Sequence, residues 1–289
     1  EDFIPIPALY RPGPIESGMM DSYIRRKLGV EEVEYPHPVL KPILEKTYGV
    51  CLYQEQVMQI AQAMAGYSLG EADLLRRAMA KKKPEEMQKH REKFIKGAEA
   101  KGISAEVAGQ VFDSIEPFAG YAFNKAHTTA YAILSYQMAY LKAHYPEEFM
   151  ATLMTSEAND TAKIVTYINE CRKLGIEVLP PDINESDAEF TIVGDKKIRF
   201  GLSAVKNVSE NAIKAIIEER RKNGPFKSLF DFCERVDLKV VNRKSIESLI
   251  KSGAFDSLGD GNRARLMANL DRAIEAAQRI QKDRKAGQM

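Results

Sequence analysis

From Lys125 to Tyr145 the chain runs without Gly or Pro, and Ile133, Leu134, Met138 and Leu141 recur within it at helical spacing before Pro146 closes the run. Such a stretch reads as one long helix. Its apolar residues predict that it is buried at the centre of an all-helical part. The segments around it are punctuated in the same style. Pro5, Pro7, Pro12 and Pro14 predict an extended or turning path, because their density argues against helix. Tyr53 to Ala65 has helix-forming composition, and Ser68-Leu-Gly-Glu71 is a capping-box pattern that opens a helix through Ala80. Pro84 to Ala100 reads as a solvated helix stopped at Lys101-Gly102, and the next helix runs from Ser104 to Pro117. Helices over Pro146 to Ser156 and Asp160 to Leu174 follow, with Gly175 just beyond the second.

The texture changes at Ile176. Ile176 to Leu179 is β-like, Pro180-Pro181 breaks it, and Phe190 to Phe200 reads as a hairpin on a Gly194-Asp195 turn. Beyond it lie a short helix around Ser203 to Lys206, a tight turn at Asn207-Val208, and helices over Ser209 to Lys222, Ser228 to Arg235 and Asn242 to Ser252. The last stretch, Asn262 to Lys285, reads as one exposed helix. The fold class expected is therefore mainly α: a helical domain over 1–175, a smaller α+β region with a hairpin and helix-hairpin-helix motifs over 176–260, and a terminal helix over 261–289.

Composition bounds the function classes. A chain of 289 residues suits two or three domains. Lys and Arg number 42 against 41 Asp and Glu, so affinity for a polyanion has to come from where the cations sit. Cys51, Cys171 and Cys233 are too far apart for a metal pattern and odd in number, which predicts a reducing, cytoplasmic setting. No apolar run approaches the roughly 18 residues of a membrane span, so no membrane partner is expected. The opening Glu1-Asp2-Phe3, in what reads as a loop, predicts a fragment of something longer.

Three constellations carry candidate chemistry. Arg76, Arg77, Lys81 and Lys83 cluster at the end of one helix, a source of cations for a polyphosphate or equally a solvated basic helix end favoured by the helix dipole. Gly120, Tyr121, Phe123, Asn124, Lys125 and His127 stand before the long helix, where amides and a lysine suit an anion; core aromatics and a helix cap explain them as well. Phe200 to Ile213, with Lys206 and Lys214 flanking its turn, and a weaker version from Val241 to Gly253 read as helix, short hairpin, helix, which aims amides at a phosphate, or as ordinary turns over a core. Asp-x-Asp, Walker A, HExxH and GxSxG patterns are missing from the sequence, and no catalytic residue is expected in this chain.

Five segments resemble one family, the DnaE-type alpha subunits of bacterial DNA polymerase III: Ala8 to Pro14, Tyr48 to Met58, Leu75 to Met87, Phe118 to His127 and Leu179 to Asn184. They stand in the family's order and span nearly the whole chain. The resemblance implies a fingers domain followed by a helix-hairpin-helix region of a DNA-directed DNA polymerase. It assigns Arg76, Arg77 and Lys81 to the triphosphate of an incoming deoxynucleotide (dNTP), and Tyr121, Asn124, Lys125 and His127 to the nascent base pair and sugar, with His127 excluding a 2′-OH. Lys206, Asn207, Ser209, Lys214, Asn242, Arg243 and Lys244 become the candidate contacts to primer-template duplex. Mg²⁺ is implied for the parent enzyme, on carboxylates of a palm domain. The sliding clamp is implied as a partner, through a motif expected to be cut at Gly287-Gln288-Met289, together with other replicase subunits. The family's usual Gly is Ala at 80 and 122 and its usual Ser is Ala at 126, and its Gly-x-Gly hairpin is Asn207-Val208-Ser209. A helix-hairpin-helix module of repair or recombination, and a helical scaffold whose basic runs are solvated faces, are the alternative readings.

Overall fold

The computed structural model describes residues 1–81, 84–119, 122–258 and 262–285, without the side chains at 80, 81, 84, 117–119 and 285. The expectations for Tyr121 and for Gly287-Gln288-Met289 therefore lie outside the described residues, as does that for the Lys81 side chain. The chain is mainly α-helical, with one small sheet, and it divides into two compact units, Glu1–Ala139 and Tyr140–Met289.

The first unit is built on the helices Gln54–Ala65, Leu69–Lys81, Pro84–Glu99 and Ala105–Ala119. Their apolar faces meet in a core that includes Ile60, Met64, Leu75, Phe94 and Phe112. The Pro84–Glu99 helix approaches closely because residue 97 is Gly: a Cβ there would stand 2.2 Å from the Ala65 carbonyl oxygen. Ser68 and Glu71 form the expected capping box, with the Glu71 carboxylate accepting from the Ser68 amide at 2.8 Å. Inside the unit, the buried Gln56 amide is fully used. Its oxygen accepts from the amides of Leu52 and Tyr53, and its nitrogen donates to the Ile43 carbonyl and the Thr47 hydroxyl. That polar knot fixes the strand-like entry to the Gln54–Ala65 helix, where Tyr53 lies opposite Phe123 and the backbones of Leu52 and Gln54 hydrogen-bond to it.

Three expectations for this part are corrected. The proline-rich start contains two short helices, Ile6–Leu9 and Pro12–Glu16. Their prolines fall in first turns, where no amide hydrogen bond is forfeited. The Ala105–Ala119 helix passes Pro117, because a proline removes one amide donor and does not by itself terminate the turns around it. The helix over Lys125–His144 forms, but it is not a buried central helix. Only Thr128 and Ala132 are buried, while Ile133 and Leu134 are 56% exposed and Met138 and Leu141 nearly as much. Helical spacing specifies the helix and says nothing of what covers it.

In the second unit, β1 (Glu177–Leu179) lies parallel to β3 (Lys197–Arg199), which pairs antiparallel with β2 (Thr191–Gly194). The hairpin turn is one residue later than expected, with Lys196 at φ 50°. Helices Pro146–Ser156 and Thr161–Lys173 cover the sheet around Met150, Met154, Ile176 and Ile198. A separate core holds Ile213, Phe232, Val241, Ile250 and Phe255, contributed by helices Glu210–Asn223, Leu229–Arg235 and Arg243–Ser252 and the turns beside them. The terminal helix, Arg263–Lys285, is not simply exposed: it lays Leu266, Leu270, Ala273 and Ala277 into that same core. Small inner residues made its seam hard to see in the sequence. Among the described residues no helix is long and apolar enough to cross a membrane.

These three cores each enclose one free cysteine, Cys51, Cys171 or Cys233. Burial pushes their thiols up from 9.0 to about 12, 11 and 12, and that of the Tyr67 phenol from 10.0 to about 12. Below pH 9 folded and unfolded chains hold these protons equally. Above it the unfolded chain releases them first, so this stability is present at neutral pH and disappears as pH rises from 9 through 12. The denaturant midpoint is expected to be flat from pH 7 to 8.5 and then to fall, at up to about 1.4 kcal/mol per pH unit for each ionising group. A midpoint unchanged at pH 10.5 would contradict this burial.

Candidate functional site

In the first unit the site grows from Asp73, one turn before two arginines. Spacings of three and four residues on a helix place Arg76 and Arg77 over the same carboxylate. Arg76 Nε and Nη2 donate to Asp73 Oδ1 at 2.9 and 2.8 Å, and Arg77 Nε pairs with Asp73 Oδ2 at 2.8 Å. Arg76 Nη1 also donates to Gln54 Oε1 at 3.2 Å. The two guanidiniums differ in setting, since the Arg76 side chain is 24% exposed and that of Arg77 63%. These hydrogen bonds hold the Asp73 carboxyl below its ordinary value, with Arg76 the main cause.

The second sequence segment meets the first through Gln54 and Glu55. Phe123 bonds through its backbone to Leu52 and Gln54, and both oxygens of Glu55 accept from the Lys125 amide at 3.0 Å. Asn124 caps the long helix by accepting from the His127 amide at 2.8 Å. Gln54, Glu55, Met58, Asp73, Arg76 and Asn124 together line a cavity of about 420 Å³. Arg76 and Asn124, far apart in sequence, thus share one site.

His127 stands on the exposed side in an aromatic row, 5.3 Å from the Phe123 ring and 4.8 Å from that of Tyr131, while the Arg11 guanidinium lies 4.7 Å over Phe123. Lys125 Nζ stands 5.7 Å from the Tyr53 ring. Ala80 lies within a helix and Ala122 has no positive φ, so replacing the family's Gly causes no left-handed strain at either position.

The second unit presents two turns locked to one another. Asn207 takes the left-handed conformation, φ 64°, which Asn tolerates better than most residues. Ser209 then caps the helix Glu210–Asn223 by accepting from the Ala212 amide, and Asn242 caps Arg243–Ser252 by accepting from the Ser245 amide. Ser245 Oγ donates to the Asn207 carbonyl at 2.8 Å, and the Asn207 side chain donates to Ser248 Oγ at 3.2 Å.

All seven candidate duplex contacts are exposed, but their charges are not equivalent. Lys214 is paired with Glu210, and Arg243 donates to both Asp271 and Glu247. Lys206 and Lys244 have no ion pair among the described residues. Sequence reasoning missed Gln54, Glu55 and Asp73. The Gln-Glu-Gln run after Tyr53 and the Asp three residues before Arg76 were the available signals.

Residues 1–102 match the family model described as the bacterial DNA polymerase III alpha subunit finger domain, and residues 175–266 match that of the helix-hairpin-helix motif. The chain is 54% identical over 293 residues to the DNA polymerase III subunit alpha of Escherichia coli strain K12, covering 100% of this chain and 25% of that protein. Against the subunit of Thermus aquaticus it is 57% identical over 276 residues, 94% of this chain and 22% of the relative. For Pseudomonas aeruginosa the identity is 50% over 308 residues, with shares of 100% and 26%. The chain thus spans about a quarter of the length of these curated relatives. A free-standing repair or recombination module is not favoured by a similarity that runs through both units. With a finger-domain match preceding a helix-hairpin-helix match inside one continuous alignment, the chain is similar along its whole length to the segment of bacterial DNA polymerase III alpha subunits that holds those two regions.

Proposed function

We infer that this chain is the part of a DNA-directed DNA polymerase that receives the incoming dNTP and holds the primer-template duplex. The observation that carries the reading is the meeting of Arg76 and Asn124 in one cavity, with Arg77 beside it on the same carboxylate. Arg76 and Arg77 are suited to the triphosphate because a guanidinium presents paired N–H donors to phosphate oxygens and keeps its charge at any working pH. Lys81 follows on the same helix. Tyr121, Asn124, Lys125 and His127 are assigned to the base pair and sugar, His127 from its exposed place in the aromatic row. In this division, 1–175 serves the nucleotide, 176–260 the duplex, and 261–289 leads toward the sliding clamp and other replicase subunits, in the bacterial cytoplasm.

Among the described residues no group of three or more His, Cys, Asp or Glu is placed to hold a metal ion. The roles assigned to the described residues are binding and orientation of the nucleotide and the duplex.

For the duplex, Lys206, Asn207, Ser209, Lys214, Asn242, Arg243 and Lys244 surround two coupled turns whose contacts to phosphate carry no base information. The unpaired lysines make the sharper test. Lys206→Ala with Lys244→Ala, in the full-length subunit, is expected to weaken primer-template binding uniformly across sequences. The slope of log affinity against log salt should become shallower by about 0.9 for each phosphate left without its lysine. Fluorescence anisotropy over a salt titration measures it, and an unaltered slope would remove the duplex role of these turns.

A further inference from the structure

Asp73 uses both of its oxygens on the two arginines assigned above to the triphosphate. Oδ1 takes the Nε/Nη2 edge of Arg76, and Oδ2 takes Nε of Arg77. A carboxylate and a phosphate offer the same sign of charge and the same two-oxygen fork, so they compete for one guanidinium edge. On the remaining Arg76 nitrogen, Nη1, one N–H is donated to Gln54. A polyanion entering the cavity while these bonds persist would meet the carboxylates of Asp73 and Glu55 on its walls. The arginines are therefore parked, with Nε of each held by Asp73.

We propose that Asp73 is a positioning residue, a built-in stand-in for phosphate that holds Arg76 and Arg77 over the cavity and is exchanged for the triphosphate when the nucleotide binds. The inference rests on the triphosphate reading of the two arginines and adds a residue that reading does not require. Asp73 keeps the guanidiniums ordered, yet each productive binding event must break its pairs. Because the pairs are partly exposed, 29% for Asp73, each is of the weak, exchangeable kind.

The test is steady-state incorporation by the full-length subunit carrying Asp73→Asn, which keeps the shape and removes the charge. KM for the dNTP is expected to fall about three- to ten-fold, the size of one or two weak ion pairs. Inhibition by inorganic tripolyphosphate should strengthen in parallel, since the exchange occurs at the phosphates. Asp73→Glu should return both values toward those of the unaltered enzyme, and Asp73→Ser should move them as Asn does. A purely structural Asp73 would instead raise KM, so an unchanged or higher KM in both uncharged variants overturns the exchange. Arg76→Ala and Arg77→Ala, run alongside, separate the two claims. If they leave KM and turnover untouched, the triphosphate reading itself fails. If they impair incorporation while Asp73→Asn does not lower KM, only the role of Asp73 falls.

Discussion

Arg76→Ala in the full-length subunit is expected to reduce the efficiency of single-nucleotide incorporation by about 10² to 10³, the usual effect of removing one aligned donor to developing transition-state charge. Arg77→Ala should cost less. The reason is setting: the Arg76 side chain is three-quarters covered and lines the cavity, whereas that of Arg77 is mostly in water, where the same charge acts through a higher effective dielectric. Arg76→Lys should recover little, because an ammonium cannot span Gln54 and a phosphate edge with a planar fork. Pre-steady-state incorporation at varied nucleotide concentration is the measurement. Primer-template affinity, which the proposed division assigns to 176–260, should stay constant throughout. Equal rates for the variant and the unaltered enzyme would withdraw the phosphate role.

The second large effect is on stability. Phe232 is fully buried, with the Phe226 ring 4.8 Å away and the Phe255 ring 5.0 Å away, both edge-on. Phe232→Ala leaves a cavity that the surrounding helices and loops would have to collapse into, and is expected to destabilise the second unit by about 3 to 5 kcal/mol. Against a typical domain stability of about 5 to 15 kcal/mol, that brings the unit near its unfolding threshold. Denaturant unfolding should show a lower midpoint with the same slope. A shift worth under about 1 kcal/mol would mean that the aromatic trio does not organise this core.

Much of the fold was legible because its signals are local. Ser68 with Glu71, Asp160, Ser209, Ser228 and Asn242 each cap the helix they were expected to open, since a short polar side chain and the first free amides of a helix need no tertiary context to find each other. Asn207 is another local success, a residue type that accepts the left-handed region at the turn requiring it. What failed depended on partners distant in sequence. The Lys125–His144 helix was expected to be buried from its apolar content, yet Tyr131, Ile133, Leu134, Tyr136, Met138, Tyr140 and Leu141 are all exposed. Apolar residues on every face have no single direction in which to pack. The terminal helix failed in the opposite sense, its alanines hiding a buried seam.

The candidate site divides along the same line. Arg76 and Asn124 were named from their residue types and from the resemblance, but Asp73 and Gln54 belong to the site only because their side chains turn toward Arg76. Charge pairing likewise separates Lys206 and Lys244 from Lys214 and Arg243. Nothing in the order of residues marks Asp271 as the partner of a cation near 243.

The three cysteines give the chain a set of internal reporters. Each lies in a different apolar cluster, and a buried protonated thiol does not react with a disulfide reagent until its surroundings open. The rates at which Cys51, Cys171 and Cys233 are labelled under native conditions therefore count the opening of the finger-domain core, the sheet layer and the hairpin core separately. Nucleotide or duplex that steadies one of these regions will slow one thiol and leave the others alone, so occupancy can be read cluster by cluster without introducing a single foreign probe.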